Sequence, residues 1–123
     1  MPKTYDLEER TLIFAKNVRD FARKLPKTVS NNEDIKQLIR SSGSIGANYR
    51  EANDCLGKKD FAFRIRIAKK EAKESIFWLE LIYVDEDKSL ECERNALALE
   101  ATELMKILGA ILLKCGPVSA FHA

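Results

Sequence analysis

Apolar residues recur every three or four positions through four long stretches of the chain, and polar residues fill most positions between them. This spacing gathers apolar side chains on one face of an α-helix. The stretches predicted to be helical are residues 7–25, 32–56, 60–84 and 90–114. The short polar segments between them require neighbouring helices to run antiparallel. The pattern therefore predicts an all-α protein, an up-down-up-down antiparallel four-helix bundle, in a single domain that spans residues 1–123.

Helix ends are predicted from residues that suit capping positions. Those assigned are Asp6, either Ser30 or Asn31, and Ser89 as N-caps, Pro26 as a stop, and Gly57 as the glycine that ends the second helix.

The middle of the second helix, residues 41–47 (SSGSIGA), is poor helix-forming material because it holds two Gly and three Ser. The apolar period continues in phase on both sides, so the segment is still predicted to be helical. Gly43, Gly46 and Ala47 favour close approach of a neighbouring helix. A GxxxxGK phosphate loop is absent and no strand precedes these glycines, so packing is favoured over nucleotide binding.

The third predicted helix carries two apolar faces. The first is predicted to face the core and contains Phe61, Ile65, Ala68, Ala72, Ser75, Ile76, Leu79, Ile82 and Tyr83. The second lies roughly opposite and contains Phe63, Ile67, Phe77, Trp78 and Leu81. A surface helix of a small monomer needs only one apolar stripe. The second face is therefore predicted to be an interface between copies of the chain.

Charge is divided unevenly along a chain whose formal net charge is only +2. Residues 58–73 hold seven basic and two acidic side chains, whereas residues 85–103 hold seven acidic and two basic ones. Basic bands bind phosphate backbones through counterion release, and aromatic side chains beside them can stack on bases. The predicted nucleic-acid contacts are Arg40, Arg50, Lys58, Lys59, Arg66, Lys69, Lys70 and Lys73. The alternative is a structural adaptor that oligomerises and binds a protein partner, in which the basic band serves only subunit pairing or solubility.

Catalytic and metal-binding chemistry lacks the residues that it needs. His122 is the single histidine, so neither a di-iron site with Glu-x-x-His pairs nor a Ser-His-Asp or Cys-His arrangement can be built. The inward polar groups are expected to hydrogen-bond one another or a helix backbone rather than to line a ligand pocket. They are Ser42, Asn53, Ser75 and the hydroxyl of Tyr49. The sequence predicts a protein that is not an enzyme and holds no cofactor and no metal.

Three cysteines, Cys55, Cys92 and Cys115, form no CxxC pair and fit idle thiols in a reducing compartment. The first ten residues contain no apolar signal core, and no apolar run approaches a membrane span. A cytoplasmic protein without a membrane partner is expected.

Two stretches in the middle of the chain resemble the bacterial four-helix-bundle family named for intervening sequences in 23S ribosomal RNA genes. The first matches its S-x-S-I-x-A-N-x-x-E-A signature with Ser42, Ser44, Ile45, Ala47, Asn48, Glu51 and Ala52. The second, residues 59–82, resembles its F-x-x-x-L-x-I-A-x-x-E-A-x-E-x-x-x-W-L-E-L helix. Ile65 replaces the expected Leu, which is a small change for packing.

This resemblance implies an all-α, cytoplasmic, non-enzymatic protein, of a family whose members are often encoded inside rRNA insertions. The family is also similar to the accessory protein of diversity-generating retroelements, a homopentameric barrel that binds nucleic acid through a basic surface and works with a reverse transcriptase. The expectation carried over is a ring-shaped homopentamer. Its expected partners are ribosomal RNA or another structured nucleic acid and, through this kinship, a reverse transcriptase.

Overall fold

Four α-helices account for most of residues 6–116, the part of the chain that this computed structural model describes. They are α1 (Leu7–Arg23), α2 (Val29–Asn53), α3 (Lys58–Leu81) and α4 (Lys88–Lys114). That part contains no strand, so the prediction of an all-α protein with four helices is confirmed. Within it, no helix combines the length and the apolar character that crossing a membrane would require. The predicted domain also includes residues 1–5 and 117–123, which lie outside the description.

Neighbouring helices run antiparallel. In the contacts between two helices, residue numbers rise along one helix as they fall along the other. These contacts are Ser41–Ser75 and Asn48–Arg64 between α2 and α3, and Arg10–Glu100 and Lys24–Glu93 between α1 and α4. Each helix packs against the next one in the chain, and α1 closes the arrangement against α4. The result is the predicted up-down-up-down bundle.

All four helices contribute large side chains to one core. Those with almost no exposed surface are Phe14, Phe21, Leu38, Ile45, Ile65, Leu79, Leu104 and Leu108. Truncating a side chain of this kind to alanine typically costs about 2–5 kcal/mol of stability. The core therefore fixes the orientation of each helix and of the side chains on its outer face.

The glycine-rich middle of α2 is helical throughout, as predicted. Gly46 lies directly against α1, since a Cβ atom there would come within 2.8 Å of Thr11 Oγ1. Gly43 differs, because a Cβ atom there would meet only the Arg19 guanidinium, at 3.6 Å. Ala47 is exposed. Close approach of α1 thus depends on Gly46 alone among the three small residues to which it was attributed.

Thr28, rather than Ser30 or Asn31, caps α2, which begins one turn earlier than predicted. The Thr28 hydroxyl accepts a hydrogen bond from the Asn31 backbone N–H at 3.1 Å. Asn31 is fully buried, and its side chain donates to the carbonyl oxygens of Pro26 and Tyr83 at 3.0 and 2.8 Å. It also accepts from the Tyr83 backbone N–H at 3.0 Å. The cap prediction was wrong because Asn31 joins the α1–α2 and α3–α4 turns instead.

Two further cap predictions were wrong, and one is confirmed. Asp87, not Ser89, caps α4 by accepting from the Leu90 backbone N–H at 3.1 Å. Gly57 does not end α2, which has already stopped, but precedes α3 in an extended conformation with φ −110°. Asp6 caps α1 as expected. Several residues near each turn have side chains that can cap a helix, so residue type alone did not determine which of them is the cap.

Helices α1 and α3 end earlier than the apolar period does. Leu25, Ile82 and Val84 are buried although they lie beyond the helices, so burial continues after the helical backbone has stopped. Tyr83 and Asn53, both predicted to face inward, are exposed instead. At Tyr83 the backbone has left the helix, so the helical period no longer fixes the direction of the side chain.

Candidate nucleic-acid interface

The outward face of α3 combines cations and an aromatic ring in one row. Its members are Lys59, Phe63, Arg66 and Lys70, here called the outer row. They are separated by four, three and four residues, which keeps them on one side of the helix. All are exposed, while the opposite side of α3 is buried in the core. At 1.5 Å per residue the cations of this row extend over about 16 Å of surface.

Phe63 is the unusual member of the row, because 54% of its surface is exposed in the middle of the cations. Lys59 lies one turn before it and Arg66 lies one turn after it. Among the described residues, no ion pair involves Lys59, Arg66 or Lys70. An exposed ring flanked by uncompensated cations is the arrangement with which proteins hold single-stranded nucleic acid.

Arg40, in contrast, is already neutralised by two carboxylates of α3. Its Nη1 lies 3.2 Å from Glu71 Oε2, and its Nη2 lies 3.1 Å from Glu74 Oε2. Partial burial lowers the pKa of Arg40, but the hydrogen bonds and charges of Glu74 and Glu71 outweigh this effect and raise the pKa above its usual value. Arg40 therefore contributes packing between α2 and α3 more than it contributes free charge.

Arg50 lies on the far side of α2 from the outer row. Its Nε is 3.8 Å from Glu8 Oε1 on α1, and it lines a groove between those two helices. The sequence grouped Arg50 with α3 because the two helices are neighbours, but the structure places its side chain toward α1. Arg50 belongs to a different surface.

The remaining predicted cations lie on or beside the outer row. Lys58 is the first residue of α3, and Lys73 is exposed one turn beyond Lys70. The aliphatic end of Lys69 lies against Gly109, where a Cβ atom would be 3.6 Å from Lys69 Cε. Lys69 therefore faces the junction with α4 and stands at the edge of the basic surface.

The predicted oligomer interface divides into exposed and partly buried residues. Phe63, Phe77 and Leu81 are about half exposed, whereas Ile67 and Trp78 are partly buried. Trp78 packs against the core, and its ring lies edge-on to Phe77 at a centroid distance of 5.1 Å. Its Nε1 is buried without a hydrogen-bond partner among the described residues. The cations thus occupy the first two thirds of α3, and the exposed apolar groups Phe77 and Leu81 occupy its end.

The hydroxyls of the three buried serines are satisfied within the bundle. Ser41 and Ser75 share a hydrogen bond of 2.9 Å, and Ser75 and Ser42 donate to backbone carbonyls of their own helices. Sequence reasoning missed Ser41, which the helical period places just outside the predicted inward set. Asn53 instead donates to a surface carboxylate on α1. Counting only residues 6–116, no cluster of His, Cys, Asp and Glu could hold a metal ion, and His122 lies outside this range.

Comparisons with known proteins agree with this architecture. The family model of the 23S rRNA-intervening sequence protein matches residues 3–110. A crystal structure of a protein of unknown function from the S23 ribosomal protein family of Bacteroides thetaiotaomicron VPI-5482 is similar to this chain, with a TM-score of 0.74 and 30% sequence identity. The match covers 87% of this chain and 98% of that one. No curated protein matches the sequence.

Proposed function

Because the chain belongs to the 23S rRNA-intervening sequence protein family, we propose that it is a non-enzymatic helical module that binds structured RNA, ribosomal RNA included, through the outer row of α3. The observation that supports this proposal is Phe63, which is half exposed between cations that have no ion-pair partner among the described residues. Phe63 does not fill the core, and an ordinary solvated helix face would not need an aromatic ring.

The two residue types in the row would make two kinds of contact. Lys59, Arg66 and Lys70 would bind phosphates by charge, which releases counterions and carries no base specificity. Phe63 would stack on an unpaired base, as aromatic residues do in loops and bulges of folded RNA. The expected ligand is therefore an RNA with a single-stranded loop rather than a continuous duplex.

Acidic residues support one orientation of such an RNA. Asp85, Glu86 and Asp87 form the α3–α4 turn at the far end of the bundle from Lys59. Their charge would repel a phosphate backbone, so the RNA is expected over the part of α3 between Lys59 and Lys70.

The test separates charge from stacking by using a labelled rRNA hairpin with a single-stranded loop, titrated at several salt concentrations. Replacing Arg66 and Lys70 together by Gln should reduce the slope of log affinity against log salt by about 2, because each phosphate contact contributes about one. Phe63→Ala should weaken binding by about 1–3 kcal/mol, roughly 5-fold to 150-fold, and leave the salt slope unchanged. The matched control replaces Lys88 and Lys106 of α4 by Gln, which removes the same charge elsewhere.

If the control lowered affinity and slope as much as the α3 variant, and Phe63→Ala changed nothing, only diffuse attraction by a basic protein would remain. That result would contradict the proposed site and favour the second candidate, a structural adaptor for a protein partner. The exposed apolar end of α3 favours that candidate in its own right. A reverse transcriptase as this partner stays a prediction from the resemblance.

Self-association through the end of α3 is the second part of the proposal. Phe77 and Leu81 expose 53% and 50% of their surface on adjacent turns, beside the partly buried Trp78. When copies contact one another through two unlike surfaces, the assembly closes as a ring if the rotation permits. Such a ring would present the outer row several times and increase RNA affinity through multivalency. The homopentamer remains a prediction from the resemblance.

Light scattering tests self-association directly. Leu81→Glu should lower the particle mass toward that of one chain, because a charge in an apolar interface is costly to bury. Leu113→Glu is the control, since Leu113 is exposed on α4. Equal masses for the wild type and for both variants would contradict an interface at Leu81.

A further inference from the structure

An open groove of about 460 Å³ runs between α1 and α2, away from the outer row of α3. Apolar and small groups line its floor and walls, and cations stand at its rim. The floor and wall residues are Thr11, Leu12, Ala15, Gly43, Gly46 and Ala47, and the rim residues are Lys16, Arg19 and Arg50.

The groove exists because small residues lie above a close helix contact. Gly46 brings α2 against Thr11 at the base of the groove. Above this contact, Gly43, Ala47 and Ala15 have no side chains long enough to fill the space between the helices. Leu12, at one wall, leaves 43% of its surface exposed. The result is an apolar depression on a surface that is otherwise rich in charge.

Among the described residues, the rim cations form no close ion pair with a carboxylate. Arg19 donates from Nη1 to the Ala15 carbonyl oxygen at 3.1 Å, and its Nη2 lies over Gly43. Neither Arg19 nor Lys16 forms an ion pair with any residue that the structure describes. Arg50 has only a long contact of 3.8 Å with Glu8. Positive charge therefore surrounds an apolar floor.

We propose that this groove binds an acidic amphipathic α-helix of a partner protein. Its small-residue floor would let a helix backbone come close, and an apolar stripe of that helix would cover Leu12, Ala15 and Ala47. Carboxylates beside the stripe would pair with Lys16 and Arg19. Because each wall extends for about seven residues, or roughly 10 Å, the groove fits two turns of the partner helix.

Charge complementarity favours an acidic partner, and the lining favours protein over RNA. The groove contains no aromatic ring on which a base could stack, in contrast to Phe63 of the outer row. Its proposed role is separate from the RNA site, since the two surfaces lie on different sides of α2. One chain could then bind an RNA and a protein at the same time.

The experiment measures fluorescence anisotropy of a labelled, helix-stabilised peptide of roughly 14 residues, about four turns. This peptide carries a leucine stripe flanked by glutamates, and a peptide of the same composition in scrambled order is the control probe. The full chain should bind the amphipathic peptide at least about tenfold more tightly than the scrambled one, a difference of about 1.4 kcal/mol.

Two variants of the full chain test the groove independently. Ala47→Phe fills the floor at an exposed helical position, and Lys16→Glu with Arg19→Glu reverses the charge of the rim. Each should weaken peptide binding by about tenfold or more. A control with Lys88→Glu and Lys106→Glu on α4 should stay within about twofold of the wild type. Helix content from circular dichroism identifies any variant that has not folded, and the other variant then carries the test.

Four results would overturn the proposal. Equal binding of the scrambled peptide, or an unchanged affinity for Ala47→Phe, would leave only diffuse attraction. A fall in particle mass for the rim variant would assign the groove to a second copy of the chain. If the rim variant no longer bound the rRNA hairpin, the groove would be assigned to nucleic-acid binding. Phe63→Ala should leave peptide binding intact, so failure of the RNA proposal and failure of this one are distinguishable.

Discussion

At the scale of single residues, two glycines of α2 differ in what an added methyl group would meet. Gly46→Ala places a Cβ atom 2.8 Å from Thr11 Oγ1, and this hydroxyl is held by a hydrogen bond to the Leu7 carbonyl oxygen. We expect a net loss of about 1–3 kcal/mol in the free energy of unfolding, because overpacking exceeds the gain in helix propensity. Gly43→Ala meets nothing closer than 3.6 Å and should gain about 0.5–1 kcal/mol. Urea denaturation of both variants measures the two effects.

The glycine variants serve as controls for each other, because they make the same chemical change in the same helix. If both variants were equally stable, α1 could move away from α2 at no cost in stability. The contact between Gly46 and Thr11 would then not hold the two helices together.

Residue type and helical spacing were enough to identify most of the outer row. They predict Lys59, Arg66 and Lys70 as phosphate contacts, and they place Phe63 on the outward apolar face of α3. They do not reveal which cations are already paired. Arg40 and Arg50 have the same residue type as Arg66, but their partner carboxylates come from other helices. Such pairings depend on the relative rotation of packed helices, which local periodicity does not determine.

At the scale of elements, the α3–α4 turn offers a prediction about pH. The Tyr83 hydroxyl donates to Asp85 Oδ1 at 2.7 Å, and this hydrogen bond together with the carboxylate charge raises the pKa of Tyr83. A raised pKa means that the contact stabilises the turn fully below the usual pKa of tyrosine and is lost as pH rises through the raised value. Asp85→Asn should lower the pKa of Tyr83, as measured by phenolate absorbance. The difference from Tyr83→Phe isolates this tyrosine.

Glu86→Gln is the matched control for this titration, since it removes a neighbouring charge without removing the hydrogen bond. A smaller fall in the pKa of Tyr83 is expected there. If both variants lowered the pKa equally, general negative charge in the turn would be responsible rather than the contact with Asp85.

The helices themselves were largely predictable, whereas their ends were not. Four apolar periods separated by polar turns indicate four helices, and the period persists through the glycine-rich middle of α2. The boundaries failed for a physical reason, because Leu25 and Val84 stay buried after the helix has ended. Thr28 and Asp87 cap their helices in preference to other residues with similar chemistry, and backbone geometry makes that selection.

At the scale of the whole molecule, the junction of α1 with α4 is the least extensive contact between neighbouring helices. Ion pairs cross it, Arg10 with Glu100 at 2.8 Å and Lys24 with Glu93 at 2.7 Å. A second groove, of about 390 Å³, lies along the same junction. Because α2 and α3 contact each other more extensively than α1 contacts either of its neighbours, α1 should separate from the bundle more readily than α2 and α3 separate from each other.

Native-state hydrogen exchange measures this difference. Amides of α1 should exchange with a lower opening free energy than those in the middle of α2 and α3. Glu100→Gln should lower the α1 value further, by about 0.5–1 kcal/mol, because the pair is partly exposed and screened by solvent. Asp20→Asn removes an exposed pair within α1 and should not change the junction. Equal protection of α1 and α3 would contradict this prediction.

The bundle and its surface chemistry follow from one chain, whereas the proposed assembly depends on a second molecule. Periodicity indicates that α3 has a second apolar face, and the structure shows Phe77 and Leu81 on it. The proposed interface would need a complementary surface on another molecule. Two surfaces offer apolar area next to charge, the groove beside α1 and the end of α3.

Asn31 has a consequence for the rates of folding and unfolding. Its side chain forms hydrogen bonds with the backbone of Tyr83, 52 residues away in the turn between α3 and α4. Closing so long a loop is entropically costly, so these hydrogen bonds are expected to form late, after the transition state. Interactions that are absent from the transition state slow unfolding and leave the folding rate almost unchanged. The buried amide of Asn31 would therefore govern how long the bundle stays folded rather than how quickly it forms.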